Sequence, residues 1–416
     1  MSILNESIAG QLSNFAFGSE QGEETSAPLG GTSYVKGSTS LPLAYITIPQ
    51  LMREAVSRFG PRDACIFSEQ GERLSYYDLD CAIDELASGL LALGLEKGDR
   101  VGIWSPNRLE WVLTQFATAR IGVILVNINP AYRTSELEYA LNKVGVKALI
   151  LAPQFKSLAY VDMLQELAPE MAESVPGRLR AARLPSLRTV IQLGPAPTKG
   201  AFSFDQVMAR GQGGPRTRLD AISRGLSPHD AINIQFTSGT TGAPKGATLT
   251  HHNIINNAIS CARVMRLRPG EALCIPVPLY HCFGMVLGNL SAAAYGATMV
   301  FPGEGFDPGE TLAALTEERC AAIHGVPTMF AAMLDHPDFR SSDLSAMRTG
   351  IMAGSPCPAP LMRRVVRDMG VREITIAYGM TETSPISFQS EVDDPPALRV
   401  ATVGRIQPHC EVKVVD

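Results

Sequence analysis

Short apolar runs that alternate with helical patterns constrain the fold of this chain more than any other feature. Residues 100–105 form an apolar run typical of a buried strand, residues 109–121 show the apolar spacing of a helix, and residues 123–128 form a second strand-like run. Parallel strands joined by helices produce this order, because each helix returns the chain to the start of the next strand. The alternation resumes over residues 231–369. The sequence therefore predicts an α/β fold with a mainly parallel sheet covered on both faces.

Composition along the chain predicts a tail and one large domain. Residues 1–41 are rich in Gly, Ser and Thr without periodicity, which predicts a flexible N-terminal tail. Residues 42–416 are expected to form the large domain, with a sub-lobe boundary around 170–220, where Pro, Gly and Arg are scattered without a period. The final residues alternate like a strand with no turn signal after them, so we interpret the sequence as truncated within an element.

The charge distribution argues against nucleic acids and anionic membranes as partners. The 416 residues carry a formal net charge of −5, and the basic side chains form no continuous run. Proteins that follow phosphate groups along a nucleic acid or a lipid surface concentrate Lys and Arg on one face. We therefore exclude both classes of partner, whereas a homo-oligomer stays open.

The N-terminus and the cysteines favour a cytoplasmic protein. The N-terminus lacks the cationic start and apolar run of a signal peptide. The eight cysteines are scattered and none forms a CxxC pair, so neither a zinc site nor a redox pair is indicated. Residues 273–301 are apolar but interrupted by Pro and Gly, which predicts buried strand, turn, helix and strand rather than a transmembrane segment.

A loop rich in glycine and hydroxyl side chains is the strongest local signal for function. The apolar residues 232–236 lead into Thr-Ser-Gly-Thr-Thr-Gly-Ala-Pro-Lys-Gly, which ends at Gly246. Glycines let consecutive backbone N–H groups converge on an anion, and the hydroxyls and the lysine add donors and positive charge. The candidate phosphate-binding residues are Thr237, Ser238, Gly239, Thr240, Thr241, Gly242 and Lys245. The same composition is also typical of an ordinary surface loop.

A P-loop NTPase requires a different arrangement around the lysine. In that motif, Gly-Lys-Ser/Thr leads into a helix, and the hydroxyl after the lysine binds Mg²⁺. Here Pro244 precedes Lys245, Gly246 follows it, and the strand-like residues 247–249 come next. The P-loop interpretation therefore fails.

A second polar cluster follows the strand-like residues 374–377. Its sequence, Tyr-Gly-Met-Thr-Glu, ends at Glu382 and combines a ring, a hydroxyl and a carboxylate that could stack on a purine, bond to a phosphate and bind a metal. In isolation, Thr381 and Glu382 could equally cap a helix and favour its dipole. His281, within Pro-Leu-Tyr-His-Cys-Phe-Gly, is either a substrate contact or a hydrogen-bonded core residue.

These motifs, in this order, resemble those of the adenylate-forming superfamily, and the chain is most similar to its medium-chain acyl-CoA synthetases. The string TSGTTGAPKGATLTHHN resembles the loop that clamps the β- and γ-phosphates of ATP, and Ala-Gly-Ser-Pro at 353–356 resembles the wall of the adenine pocket. The resemblance implies that Thr381 contacts the α-phosphate, Glu382 ligates Mg²⁺ and His281 positions the substrate. The remaining nucleotide-binding residues that it implies are Gly354, Ser355, Pro356, Tyr378 (against the adenine), Gly379 and Met380.

The resemblance also implies a fold and a reaction. The implied fold is the large N-terminal domain of adenylate-forming enzymes, with two mainly parallel sheets flanked by helices, a smaller β sub-lobe and no C-terminal small domain. The implied reaction uses ATP and Mg²⁺ to convert a carboxylic acid, of the medium-chain fatty acid class, to an acyl adenylate, from which CoA takes the acyl group. Without the small domain the chain is expected to be largely inactive. The alternatives are a ligase for aryl acids or for loading a carrier protein, and a non-enzymatic nucleotide-binding protein if the chain naturally ends at residue 416.

Overall fold

The computed structural model describes residues 33–237 and 243–415, which form strands and helices in alternation. The strands are β1 (Tyr34–Lys36), β2 (Asp63–Phe67), β3 (Glu72–Ser75), β4 (Arg100–Trp104), β5 (Ile124–Asn127), β6 (Ala148–Leu151), β7 (Gln154–Phe155), β8 (Leu158–Ala159), β9 (Thr189–Gln192), β10 (Phe202–Ser203), β11 (Ala231–Thr237), β12 (Lys245–Thr250), β13 (Ala272–Cys274), β14 (Thr298–Phe301), β15 (Ala322–Gly325), β16 (Thr349–Ala353), β17 (Glu373–Gly379), β18 (Ile386–Gln389), β19 (Arg405–Ile406) and β20 (Glu411–Lys413).

The helices lie between these strands. The α-helices are α1 (Ile48–Phe59), α2 (Tyr76–Ala92), α3 (Leu109–Arg120), α4 (Thr134–Lys143), α5 (Tyr160–Leu167), α6 (Phe204–Gly211), α7 (Arg216–Arg224), α8 (His251–Val264), α9 (Cys282–Gly284), α10 (Ser291–Tyr295), α11 (Pro308–Glu317), α12 (Pro327–Leu334), α13 (Ala359–Asp368) and α14 (Pro396–Ala401). Three short 3₁₀ helices, Pro169–Glu173, Pro337–Arg340 and Thr381–Thr383, and a π-helix, Met285–Leu290, complete the described helical segments.

Two mainly parallel sheets organise the described residues, as the sequence predicts. The first sheet has seven described strands in the order β10-β9-β6-β4-β5-β11-β12, all parallel except the edge pair β11 and β12. The second has nine described strands in the order β19-β18-β17-β16-β15-β13-β14-β2-β3, parallel from β17 to β2 and antiparallel at both edges. Residues buried on both faces, such as all four of β6, explain the continuous apolar runs of the central strands.

A continuous core joins the two sheets. One cluster of buried apolar side chains includes residues from strands of both sheets and from the helices between them. Helix α3 is buried along its length from Trp111 to Arg120, and its Gln115 side chain donates a hydrogen bond to the Met285 carbonyl at 3.1 Å. The two sheets therefore pack against each other through a shared core.

The N-terminal segment differs in part from the predicted tail. Within the described part of that segment, β1 pairs antiparallel with β20, and the Gly37 N–H donates to the Cys410 carbonyl at 2.8 Å. Residues 1–32 lie outside the described residues. The pairing partner comes from the other end of the sequence, so no local pattern could indicate it. Together with the antiparallel pair β7–β8, the β1–β20 pair forms the small β elements outside the two large sheets.

The predicted sub-lobe boundary around 170–220 differs from the observed passage between sheets. That segment contains β9 and β10, which extend the first sheet at one edge by parallel pairing. The chain passes between the two sheets instead through α2 and through α8, at residues 76–92 and 251–264. The irregular composition around 170–220 therefore reflects a loop-rich edge of a sheet.

The apolar residues 273–301 fold within the core. They form β13, the short α9, the π-helix, α10 and β14, in agreement with the predicted order of strand, turn, helix and strand. Among the described residues, no helix has the length and apolar character needed to cross a bilayer.

Candidate nucleotide-binding site

Three candidate segments leave the carboxyl ends of parallel strands. Thr237 is the last residue of β11, residues 354–356 follow β16, and Tyr378 and Gly379 end β17. Ligands of parallel α/β sheets bind at this edge, where loops carry polar groups beyond the buried strands. Strands β16 and β17 pair in register, with Ala353 opposite Ala377. This register places the 354–356 segment beside Tyr378.

A direct hydrogen bond joins the two strongest sequence motifs. The Thr237 Oγ1 donates to the Glu382 Oε1 at 3.0 Å, across 145 residues of sequence and between the two sheets. Glu382 is exposed, so its carboxylate is accessible to solvent. Among the described residues, no group of three or more His, Cys, Asp or Glu side chains could form a metal site alone. One accessible carboxylate fits Mg²⁺ that is held mainly by substrate phosphates, because Mg²⁺ commonly uses one or two protein carboxylates in such sites.

A tight turn holds Thr381 and Glu382 in this position. These residues form a 3₁₀ turn, and the preceding Met380 N–H donates to the Pro385 carbonyl at 3.0 Å. A Cβ atom at Gly379 would lie 1.8 Å from that same Pro385 oxygen, so a side chain at residue 379 would force the backbone apart. The glycine is therefore required by packing within the turn. The helix-cap alternative for Thr381 does not describe the turn, because Met380 occupies the capping position.

His281 and Thr381 meet through Cys282. The Cys282 Sγ lies 3.6 Å from the His281 Nδ1 and 3.8 Å from the Thr381 Oγ1. Burial raises the pKa of the Cys282 thiol to about 12, so the thiol is protonated near neutral pH. Cys282 is not among the residues that the sequence predicts for the site. Its position beside His281 in the Tyr-His-Cys-Phe segment was the available signal.

His281 is a hydrogen-bonded structural residue, and its contact with substrate stays a prediction. Its Nδ1 accepts the Phe283 N–H at 3.1 Å and thereby caps the short helix α9. Because Nδ1 accepts this bond, the neutral ring carries its proton on Nε2, which leaves one N–H donor. The residue is exposed, yet surrounding protein atoms desolvate the ring and lower its pKa. His281 is therefore a neutral donor next to Thr381.

The predicted adenine-binding segment is exposed. Tyr378 is 50% exposed, and its ring is tilted against that of Phe388 with the ring centroids 6.2 Å apart. Met380 is 51% exposed, and Gly354, Ser355 and Pro356 are exposed as well. Gly354 has a φ of +88° after β16, a left-handed conformation that glycine adopts without strain.

The phosphate loop is described at its two ends. Lys245 begins β12 directly opposite Thr237 in the antiparallel register, and its side chain is exposed. The predicted phosphate contacts at Ser238, Gly239, Thr240, Thr241 and Gly242 lie outside the described residues. Among the described candidates, Thr237 contacts Glu382, and His281 and Thr381 both lie beside Cys282. The assignment of the other candidates to the same site stays a prediction.

Comparisons with known proteins identify the family of this chain. A model of the family described as AMP-binding enzyme matches residues 52–416. A relative from Danio rerio named medium-chain acyl-CoA ligase ACSF2, mitochondrial, is 46% identical over 395 residues, which are 94% of this chain and 65% of the relative. A relative from Bacillus subtilis named putative acyl-CoA synthetase YngI is 43% identical over 374 residues, 90% of this chain and 68% of the relative.

The fold is also similar to solved structures. The N-terminal domain of FACL13 from Mycobacterium tuberculosis superposes with a TM-score of 0.74 at 23% identity, covering 87% of this chain and 82% of that structure. This chain therefore spans slightly less than two thirds of the Danio rerio relative and most of an isolated N-terminal domain. From the family match and the relatives together, we conclude that the chain belongs to the AMP-binding enzyme family.

Proposed function

We propose that this chain is the nucleotide-binding part of an acyl-CoA synthetase. The protein would use ATP to activate a carboxylic acid, forming an acyl adenylate and pyrophosphate, and would then transfer the acyl group to CoA. The observation that carries this proposal is the 3.0 Å hydrogen bond from Thr237 to Glu382, since it joins a phosphate-type loop to a carboxylate suited to Mg²⁺. The chain covers 65% of its Danio rerio relative, so turnover is proposed for the protein as a whole.

The described side chains suit a reaction that depends on positioning. In the first step, a carboxylate oxygen bonds to the α-phosphorus of ATP while the bond between the α-phosphorus and the bridging oxygen breaks, and pyrophosphate leaves. Negative charge develops on phosphate oxygens, so fixed donors and cations lower the barrier more than a side-chain base. Lys245 and Thr237 would hold the polyphosphate, Glu382 would ligate Mg²⁺, and Thr381 would donate to the α-phosphate. Bound Mg²⁺ would neutralise phosphate charge.

The acid and the adenine would occupy the two sides of this centre. The neutral His281 ring can donate a hydrogen bond from its Nε2–H to a carboxylate and orient it without forming an ion pair. The half-exposed ring of Tyr378 provides an aromatic surface for a purine, next to the exposed 354–356 segment. In the second step, the CoA thiol loses its proton to solvent and its sulfur bonds to the acyl carbon, while the bond between that carbon and the phosphate oxygen breaks and AMP leaves.

The substrate class rests on the relatives. The Danio rerio relative is named a medium-chain acyl-CoA ligase, and relatives with the same name reach from 41% to 46% identity. We therefore propose a medium-chain fatty acid as the acid. A cytoplasmic location and a homo-oligomer remain predictions from the sequence. Cell fractionation is the test of location, since the ACSF2 relatives are named mitochondrial.

Nucleotide titration is the first test of the proposal. We expect the 416-residue chain to bind ATP more tightly with Mg²⁺ than without it, as measured by isothermal titration calorimetry. An ATP affinity that does not depend on Mg²⁺, or no ATP binding at all, would refute the proposed site.

ATP–pyrophosphate exchange is the test of the acid. Octanoate, benzoate and a mixture of amino acids should be compared, with octanoate expected to support the fastest exchange. Exchange with benzoate or amino acids and none with octanoate would favour another adenylate-forming ligase. We also propose that this chain adenylates slowly and transfers acyl groups to CoA hardly at all, and turnover at ordinary enzyme rates would contradict that expectation.

A further inference from the structure

We propose that Tyr139 is a positioning residue for Lys245, acting through the carbonyl group of Pro244. This inference rests on the proposed function, because it concerns how the chain binds the polyphosphate of ATP. Tyr139 lies on α4, outside every motif that the sequence analysis assigned to the site. The predicted role is to fix the backbone from which the Lys245 side chain extends.

The contact is a direct hydrogen bond to the phosphate-loop stem. The Tyr139 hydroxyl donates to the Pro244 carbonyl oxygen at 3.0 Å. That carbonyl belongs to the peptide group whose N–H is the Lys245 N–H, and the peptide group is planar. A bond to the oxygen therefore constrains the orientation of the whole peptide group and the direction in which Lys245 enters β12.

The C-terminal end of α4 also lies close to the residue on the other side of Lys245. A Cβ atom at Gly246 would lie 3.5 Å from Val144 Cγ1, and Val144 caps the C-terminal end of α4. The C-terminal part of α4 is therefore bonded to the stem at Pro244 and lies near Gly246, where an added side chain would touch Val144. The exposed Lys245 side chain between them is left accessible to a ligand.

Helix α4, which carries Tyr139, is anchored in the core. Its Leu137 and Ala140 are fully buried, and Leu141 is 2% exposed. On its outer face, the Glu138 carboxylate pairs with the Arg183 guanidinium at 2.6 Å. The Tyr139 ring is half-buried between these two faces. Because the helix is anchored in the core, the hydroxyl is held in place before any ligand binds, which lowers the entropy lost when Lys245 is ordered.

The loss of this hydroxyl should affect polyphosphate binding selectively. A long lysine side chain gains conformational freedom when its backbone is less constrained, and it then binds phosphate less well. Tyr139→Phe keeps the ring and removes one neutral hydrogen bond, so we expect the Kd for MgATP to rise about fivefold. The Kd for AMP should stay unchanged, because AMP lacks the β- and γ-phosphates that Lys245 is proposed to contact.

A double-mutant cycle tests whether Tyr139 acts through Lys245. Calorimetric titrations with MgATP and with AMP should compare the unaltered chain, Tyr139→Phe, Lys245→Ala and the double variant. We expect Tyr139→Phe to add no further loss of MgATP affinity once Lys245 is alanine, since the coupled group is gone. Tyr76→Phe is the matched control, because its hydroxyl donates to the Ala297 carbonyl at 2.7 Å in a buried region away from the stem.

Each result decides between the proposals. Equal MgATP affinity in Tyr139→Phe and the unaltered chain would overturn the inference and leave the proposed function standing. Parallel loss of MgATP and AMP affinity, or the same loss in the Lys245→Ala background, would show a general structural effect and would also overturn it. If the unaltered chain binds no MgATP, the proposed function fails and the inference fails with it.

Discussion

Replacing Gly379 by alanine perturbs the turn that carries Glu382 without removing any polar group. A Cβ atom at residue 379 would lie 1.8 Å from the Pro385 carbonyl oxygen and 2.8 Å from its carbon. Both neighbours are backbone atoms, which cannot rotate away like the end of a side chain. To bring the closest contact to at least 3.0 Å, the two backbone segments must separate by about 1.2 Å.

This displacement is large compared with the hydrogen bond that the turn supports. The Thr237 Oγ1 and the Glu382 Oε1 are 3.0 Å apart, and a shift of about 1 Å is enough to break such a bond. Overpacking of this kind costs about 1–3 kcal/mol of folding free energy. Loss of the hydrogen bond between Thr237 and Glu382 should weaken the binding of MgATP by roughly 1 kcal/mol. We therefore expect the Kd for MgATP to rise at least about fivefold.

Calorimetry and thermal unfolding together measure the two consequences. MgATP should be titrated into the unaltered chain, Gly379→Ala and the control Gly225→Ala. The control fits because Gly225 has a φ of −85° and its added Cβ would meet no atom closer than 3.3 Å. We expect Gly379→Ala alone to lose MgATP affinity and to unfold at a lower temperature. An MgATP affinity within about twofold of the unaltered chain would refute the steric reasoning.

Three further predictions concern charge and thiol reactivity at the site. Glu382→Gln should reduce the Mg²⁺-dependent part of the ATP affinity and leave the unfolding temperature unchanged, because only the charge is lost; an unchanged Mg²⁺ dependence in calorimetry would contradict the metal assignment. Lys245→Ala should raise the Kd for ATP by roughly tenfold and leave that for AMP unaltered, and equal losses for both nucleotides would contradict the assigned contact. Cys282 should resist iodoacetamide at pH 8 while the exposed Cys81 reacts. The reason is that burial raises the pKa of Cys282 to about 12, so its thiolate forms only as the pH approaches that value. Rapid labelling of Cys282, measured by peptide mass spectrometry, would contradict this prediction.

Much of the fold could be predicted because its signals are local. The apolar run at residues 123–128 contains β5, and the helical spacing at residues 109–121 agrees with α3 to within one residue. Burial of each strand and helix in the core requires apolar side chains at particular spacings within that element alone, so the spacing can be recognised without the rest of the chain. The motifs containing Thr237 and Glu382 were recognisable for the same reason, since each is a short continuous segment.

Contacts between distant segments could not be predicted in this way. Cys282 was not assigned to the site, because its importance depends on Thr381, which lies 99 residues away. In the sequence, Tyr139 is indistinguishable from any other helix residue, and only the structure shows its hydrogen bond to the Pro244 carbonyl. The pairing of β1 with β20 and the passage between sheets likewise depend on which surfaces meet after folding.

The sequence alone determined the α/β class and the alternation of strands and helices, and it predicts a phosphate-type loop. Each of these follows from periodicity or from residue chemistry within a few neighbouring positions. Only the tertiary structure decided that Glu382 lies within 3.0 Å of Thr237 and that Gly379 must lack a side chain. The first depends on the close packing of two sheets and the second on the path of the turn between β17 and β18, and neither contact leaves a periodic signal in the sequence.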